Sequence, residues 1–198
     1  MKINQIENFT LLPYINKVIN QYSHKLIHVD ERPGFYEDVH TSREILRPVP
    51  IENKDDIRFE GHETDSEKEA IFILDNWIYL AKKEIEKHYG VGPLNKFEGG
   101  MVKLVKGSFN GPHSDMYNMD GTRYDGDGRG DSLEYSALLY LSEYGVDFTG
   151  GELYFPNQDF TVEPQRGKLV FFQGDLEHIH EVKEVTSGER YALVMFFG

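Results

Sequence analysis

The chain has no cysteine, which removes disulfides and thiolate ligands together, so any metal here must be held by His, Asp or Glu. Positive charge is scarce as well. Lys and Arg number 21 against 34 Asp and Glu, a formal net charge of −13, and such a surface repels phosphate backbones and anionic lipid. Nucleic-acid and membrane partners are therefore disfavoured. No apolar run approaches the length that spans a bilayer, and the start, "MKINQIENFTLLPYI", lacks the continuous apolar stretch of a secretion signal. A soluble, cytoplasmic protein in a reducing compartment is the expectation. No internal repeat is found at the usual periods.

Aromatic residues are plentiful, with 13 Phe and 12 Tyr in 198 residues, enough for one domain with a β-rich interior. The chain changes texture near Gly99. Before it, residues 9–24 suggest a short helix after Pro13, with Ile15, Val18 and Ile19 on one side. Residues 30–65 are polar, carry Pro33, Pro48 and Pro50, and are expected to be loops with short strands among them. Residues 66–89 predict a longer helix. Ser66 and Glu69 match a capping box, Ile71, Leu74, Ile78, Ala81 and Ile85 recur at helical spacing, and Gly90 supplies the stop.

After Gly99, eight short β-like runs are punctuated by Gly, Pro, Asn or Asp: 100–106, 109–115, 134–142, 152–155, 160–162, 168–172, 177–182 and 190–197. Eight strands without an intervening helix suggest a double-sheet jelly roll. The fold class expected is thus α+β, a jelly-roll (double-stranded β-helix) core over 97–198, supported by an N-terminal helical annex over 1–96.

Two stretches carry chemistry. In "GPHSDMYN", His113 and Asp115 stand one residue apart, and on an extended strand residues i and i+2 share a face. That is half of a metal site or, equally well, two solvated residues on an edge strand. "GDLEHIHEVKEVTSGERYAL" adds His178 and His180 at the same spacing, with Arg190 ten residues after His180, on a strand expected to begin beyond the "TSG" turn. Two histidines and a carboxylate with open positions beside them form the facial triad of non-haem Fe(II) oxygenases. An arginine suits the far end of a metal-chelating organic acid, because its planar guanidinium grips a carboxylate with two parallel hydrogen bonds.

In order along the chain, "KGSFNGPHSD", "DGDGRGDSLEYSALLYLSE", "GGELYF", "GKLVFF" and "HEVKEVTSGERYAL" resemble the Fe(II)/2-oxoglutarate-dependent dioxygenases, most closely the prolyl 4-hydroxylases. The likeness covers roughly residues 97–198. It implies Fe(II), 2-oxoglutarate and O2, with ascorbate as reductant, and hydroxylation of an unactivated C–H bond, here a peptidyl proline in a peptide or protein substrate. Carried over by residue, it makes His113, Asp115 and His180 the iron ligands and Arg190 the partner of the distal carboxylate of 2-oxoglutarate. Tyr140 would help to hold that carboxylate. One departure stands out: where many relatives have a tyrosine nine or ten residues before the first ligand, this chain has Lys103 and Leu104.

The plainer readings are these. His178 is a neighbouring polar residue or hydrogen-bond partner, because the "HEV" match and the spacing to Arg190 favour His180. Histidines 24, 28, 40, 62 and 88 are surface residues of the annex. "DGDGRG" at 125–130 opens like a calcium loop, but Arg129 and Ser136 stand where ligands are required. Residues 116–133 are expected to be a Gly-rich loop covering the substrate. A free amino acid or small metabolite as substrate, a non-catalytic jelly-roll binding module, and a structural protein with incidental histidines are the competing readings. A nucleic-acid demethylase is the least favoured, since Phe196 stands where those relatives have a second arginine.

Overall fold

The computed structural model describes residues 3–23, 26–28, 35–37, 64–95, 97–124 and 133–198. The loops expected over 30–65 fall outside the described residues, apart from Phe35–Glu37 and the residues that open α2. So do His24, His40, His62 and residues 125–132 of the Gly-rich stretch. Among the described residues, two helices and twelve strands follow one another: β1 (Asn4–Ile6), α1 (Leu12–Tyr22), β2 (Ile27–His28), β3 (Phe35–Glu37), α2 (Asp65–Tyr89), β4 (Phe97–Val105), β5 (Asn110–His113), β6 (Tyr135–Tyr140), β7 (Phe148–Gly150), β8 (Leu153–Phe155), β9 (Phe160–Val162), β10 (Leu169–Gln173), β11 (His180–Val182) and β12 (Val185–Phe197). None of the described helices is long and apolar enough to cross a membrane.

The strands form two antiparallel sheets that face each other as a double-stranded β-helix. The larger has the order β1-β10-β6-β12-β4-β3-β2, with β7 also paired to β12, and the smaller has the order β5-β11-β8-β9. The central strands of the larger sheet are buried on both faces, which is why "YSALLY" in β6 is a continuous run and not an alternation. Odd-numbered residues there, such as Tyr135, Ala137 and Leu139, pack towards the helices with Leu193 and Met195. Even-numbered ones, such as Leu138 and Tyr140, pack between the sheets with Val102, Leu104, Phe172 and Ala192. Each large side chain so buried contributes about 1.5–3 kcal/mol, and the alternation sends Ser136 and Arg190 into the space between the sheets.

Three expectations are corrected. The capping box of α2 is built by Thr64 and Glu67 instead of Ser66 and Glu69: Glu67 N donates to Thr64 Oγ1 at 3.3 Å and Thr64 N to Glu67 Oε2 at 2.6 Å. Both pairs satisfy the pattern in "TDSEKE", and the upstream box prevails while Glu69 forms an ion pair with Lys17 of α1. Pro13 lies inside the first turn of α1, where its missing N–H has no intrahelical partner to lose. The "TSG" segment is no turn, since β12 runs through it and shifts register against β7. An unforeseen strand, β1, joins the larger sheet by pairing with β10, and β3, one of the short strands expected within 30–65, pairs with β4. Thr64→Ala is expected to lower stability by about 0.5–2 kcal/mol through loss of the cap. Urea denaturation checks this, and an unchanged midpoint would show the box to be idle.

Candidate functional site

β5 lies at the edge of the smaller sheet and pairs with β11, placing His113 directly across from His180. Asp115 is not on the strand, which ends at His113. The segment beyond it is pinned to the end of β10, where Ser114 Oγ donates to Gly174 O at 2.7 Å and Met116 N to the same oxygen at 3.1 Å. This tether turns the carboxylate back towards the imidazoles. Asp115 Oδ1 lies 3.5 Å from His113 Nε2, and its Oδ2 lies 3.6 Å from His180 Nε2. One ligand atom from each of the three residues falls within 4.8 Å of the others, a spacing that one cation can bridge.

The electrostatics suit a cation. His113 Nδ1 donates to Gly111 O at 2.7 Å and His180 Nδ1 to His178 O at 3.0 Å. Those bonds place the protons on Nδ1 and leave both Nε2 lone pairs facing inward. Burial pushes the Asp115 carboxyl up, but the two imidazoles and the Ser136 hydroxyl, which donates to Oδ2 at 2.5 Å, outweigh it and hold the group at about 2. Burial likewise lowers His180, against the upward pull of Asp115, and so favours its neutral, ligating form. The His113 side chain is 28% exposed, against 9% for Asp115 and 6% for His180, so the cluster opens on the His113 side. Asn110 stands there, with Nδ2 3.3 Å from His113 Nε2.

Deeper between the sheets lies a second polar feature. Arg190 is fully buried, donates from Nε to Gly151 O at 3.0 Å, and stands with its guanidinium carbon 5.2 Å from the Tyr140 ring centroid. Yet Arg190 Nη2 and Tyr140 Oη are both buried without a hydrogen-bond partner, and no carboxylate among the described residues pairs with the guanidinium. Burial lowers the Arg190 pKa and raises that of Tyr140, each countered in part by the other group. A buried cation and a buried phenol with donors to spare fit an anionic ligand that supplies oxygen acceptors. The ring of His180 packs against Phe155 and Phe172 of the same inter-sheet cluster that contains Tyr140, so one apolar wall connects the two features.

The remaining candidates separate cleanly. His178 turns away from the cluster, its Nδ1 2.7 Å from Asp175 Oδ1. Lys103 points outwards to Glu189 at 3.3 Å, while Leu104 is packed between the sheets, so neither offers the hydroxyl found in many relatives. His88 is exposed at the end of α2. Two contributors escaped the sequence reading. Ser136 is invisible inside an apolar run unless the strand's face alternation is known. Gly151 could have been suspected from the "GG" pair: it has φ +69°, and a Cβ there would lie 2.9 Å from Arg190 Cδ.

Comparison with known proteins agrees with this chemistry. The family described as the 2OG-Fe(II) oxygenase superfamily matches residues 99–198. The chain is 44% identical over 68 residues to the 2-oxoglutarate and iron-dependent oxygenase domain-containing protein 3 of Xenopus tropicalis, covering 33% of this chain and 22% of that one. It is 42% identical over 69 residues to prolyl 3-hydroxylase 1 of Homo sapiens, covering 32% of this chain and 9% of that one. The aligned part is thus less than a quarter of the length of either relative. Among solved structures, the viral collagen prolyl hydroxylase of Paramecium bursaria Chlorella virus-1 in its 2OG complex superposes with a TM-score of 0.66 at 16% identity, covering 100% of this chain and 95% of that one. The Trichoplax adhaerens prolyl hydroxylase, in complex with a hypoxia inducible factor peptide fragment, gives 0.64 at 19%, covering 98% and 82%. These two likenesses establish a shared fold. The family match, which spans all three clustered residues together with Tyr140 and Arg190, settles the wider relationship: the chain belongs to the 2OG-Fe(II) oxygenase superfamily.

Proposed function

We propose that this protein hydroxylates the ring of a peptidyl proline in an Fe(II)- and 2-oxoglutarate-dependent reaction, with ascorbate as the reductant that keeps the iron ferrous. Bound together, Fe(II), 2-oxoglutarate and O2 supply the power to oxidise an unactivated C–H bond, the co-substrate leaving as succinate and CO2. His113, Asp115 and His180 would hold the metal with two neutral nitrogens and one anionic oxygen, leaving the His113 side open. Arg190 would take the distal carboxylate of 2-oxoglutarate in its guanidinium fork, and Tyr140 would donate to the same group. The apolar wall of Phe155 and Phe172 keeps water from the reacting centre. Residues 97–198 would carry this chemistry on the support of residues 1–96.

The observation that carries the reading is the orphaned Arg190–Tyr140 pair in the same inter-sheet space as the His–Asp–His cluster, a cation and a phenol awaiting a carboxylate. Support for proline comes from relatives named prolyl 3-hydroxylase and from solved prolyl hydroxylases, one of them carrying a peptide. Proline-rich peptides are already extended, so binding them requires little ordering. A net charge of −13 favours neutral or basic peptides over acidic ones. The test is a panel of proline-containing peptides and free proline, incubated with Fe(II), 2-oxoglutarate and ascorbate. The expected result is a hydroxyl-sized mass gain on peptides that requires 2-oxoglutarate. Hydroxylation of free proline and of no peptide would refute the peptidyl reading.

A further inference from the structure

His178, two residues before His180, ends a turn whose polar groups are almost all claimed by side chains. Asp175 opens this 3-10 turn (Leu176–His178), and its Oδ1 accepts from Glu177 N at 3.1 Å, His178 N at 3.1 Å and His178 Nδ1 at 2.7 Å. From the neighbouring 3-10 turn (Pro156–Gln158), Asn157 Nδ2 donates to the carbonyls of Leu176 at 3.0 Å and Glu177 at 3.1 Å, and Gln158 Nε2 donates to Glu177 O at 2.7 Å. The remaining carbonyl of the turn, that of His178, accepts from His180 Nδ1. His178 is itself buried, and its ring centroid lies 6.0 Å from that of Phe172, which also touches His180.

We infer that Asp175 and His178 are positioning residues that set the ring orientation of His180 towards the metal. The chain of contacts runs from the Asp175 carboxylate, through the locked His178 side chain and turn, to the one backbone oxygen that fixes His180. Few rotations are left to that imidazole, so little freedom is lost when a cation takes its Nε2. His178 therefore has a role despite lying outside the cluster. Asp175 also caps the turn, a structural role in its own right, so the test reads metal affinity alongside melting.

This inference rests on the metal reading of His113, Asp115 and His180, and the experiment separates the two. Co(II) is titrated into the metal-free protein, following its visible absorption bands, for the wild type, Asp115→Ala, Asp175→Ala, Asp175→Asn, His178→Ala and the Asp175→Ala/His178→Ala double variant. Melting of each metal-free variant is recorded in parallel. Asp175→Ala is expected to weaken Co(II) binding about tenfold or more and to change the band shape while the protein remains folded. Asp175→Asn should recover most of the affinity, because the amide oxygen can still accept from the turn. The double variant should be no weaker than Asp175→Ala, as the two act through one path. Wild-type Co(II) affinity in a folded Asp175→Ala protein would overturn the inference and leave the metal site standing, as would an Asp175→Asn variant no better than the alanine. Failure of the wild type itself to bind Co(II) would overturn both.

Discussion

His180→Ala is expected to abolish iron-dependent formation of succinate from 2-oxoglutarate, and His113→Ala and Asp115→Ala are expected to do the same. The three side chains supply every ligand atom of the cluster, and each has a distinct part. In the proposed site His113 would be the ligand on the open side, Asp115 would bring the negative charge, and His180 would close the buried side. Altering a residue that merely orients a ligand costs about 10–100-fold in affinity, so deleting one of three ligands should cost more. His178→Ala should keep measurable turnover once iron is saturating, because its side chain faces Asp175 and not the cluster. Circular dichroism must show each variant folded, since the ring of His180 also packs on Phe155 and Phe172. An active His180→Ala protein beside a dead His178→Ala protein would reverse the ligand assignment.

Arg190→Ala is expected to raise the KM for 2-oxoglutarate by more than about 100-fold. Removing one partner of a buried, desolvated charge pair costs about 3–5 kcal/mol, and every 1.4 kcal/mol is tenfold. Arg190→Lys should be milder, since it keeps the charge but loses the fork that meets both carboxylate oxygens. The same site gives a prediction of opposite sign for stability. Without co-substrate, Arg190 is a buried cation with an unpartnered Nη2, an arrangement that opposes folding. Arg190→Met, close in volume and uncharged, should therefore melt no lower than the wild type without ligand. Added 2-oxoglutarate should raise the Tm of the wild-type metal-loaded protein by mass action and leave Arg190→Met unmoved. An unchanged KM in the alanine and lysine variants would remove Arg190 from the site.

How much of this was legible without coordinates depends on how far apart in the chain the interacting groups lie. The helical period of α2, its stop at Gly90, and the continuous apolar runs of β6 and β10 follow from neighbours within one element, and these were readable as they stand. The absence of cysteine confined the ligands to His, Asp and Glu, and the order of short motifs pointed to iron and 2-oxoglutarate. The local rule was also too simple in one place. His113 and Asp115 do converge, but through a tether to Gly174 some sixty residues away and not through the pleat of a shared strand.

Composition, local periodicity and the types of the chemical residues were thus properties of the chain itself, because each depends on side chains a few positions apart. Strand register was not, since it joins residues that nothing in a local pattern relates. Only folding set His180 opposite His113, sent Ser136 to Asp115, and brought Gly151 O to Arg190 across 39 residues. The short motifs already favoured His180 over His178, and folding supplies the reason by turning the His178 ring to Asp175 and the His180 ring to the cluster. His178 finds Asp175 three residues away, but the carboxylate that His180 meets, Asp115, comes within reach only once β5 and β11 have paired.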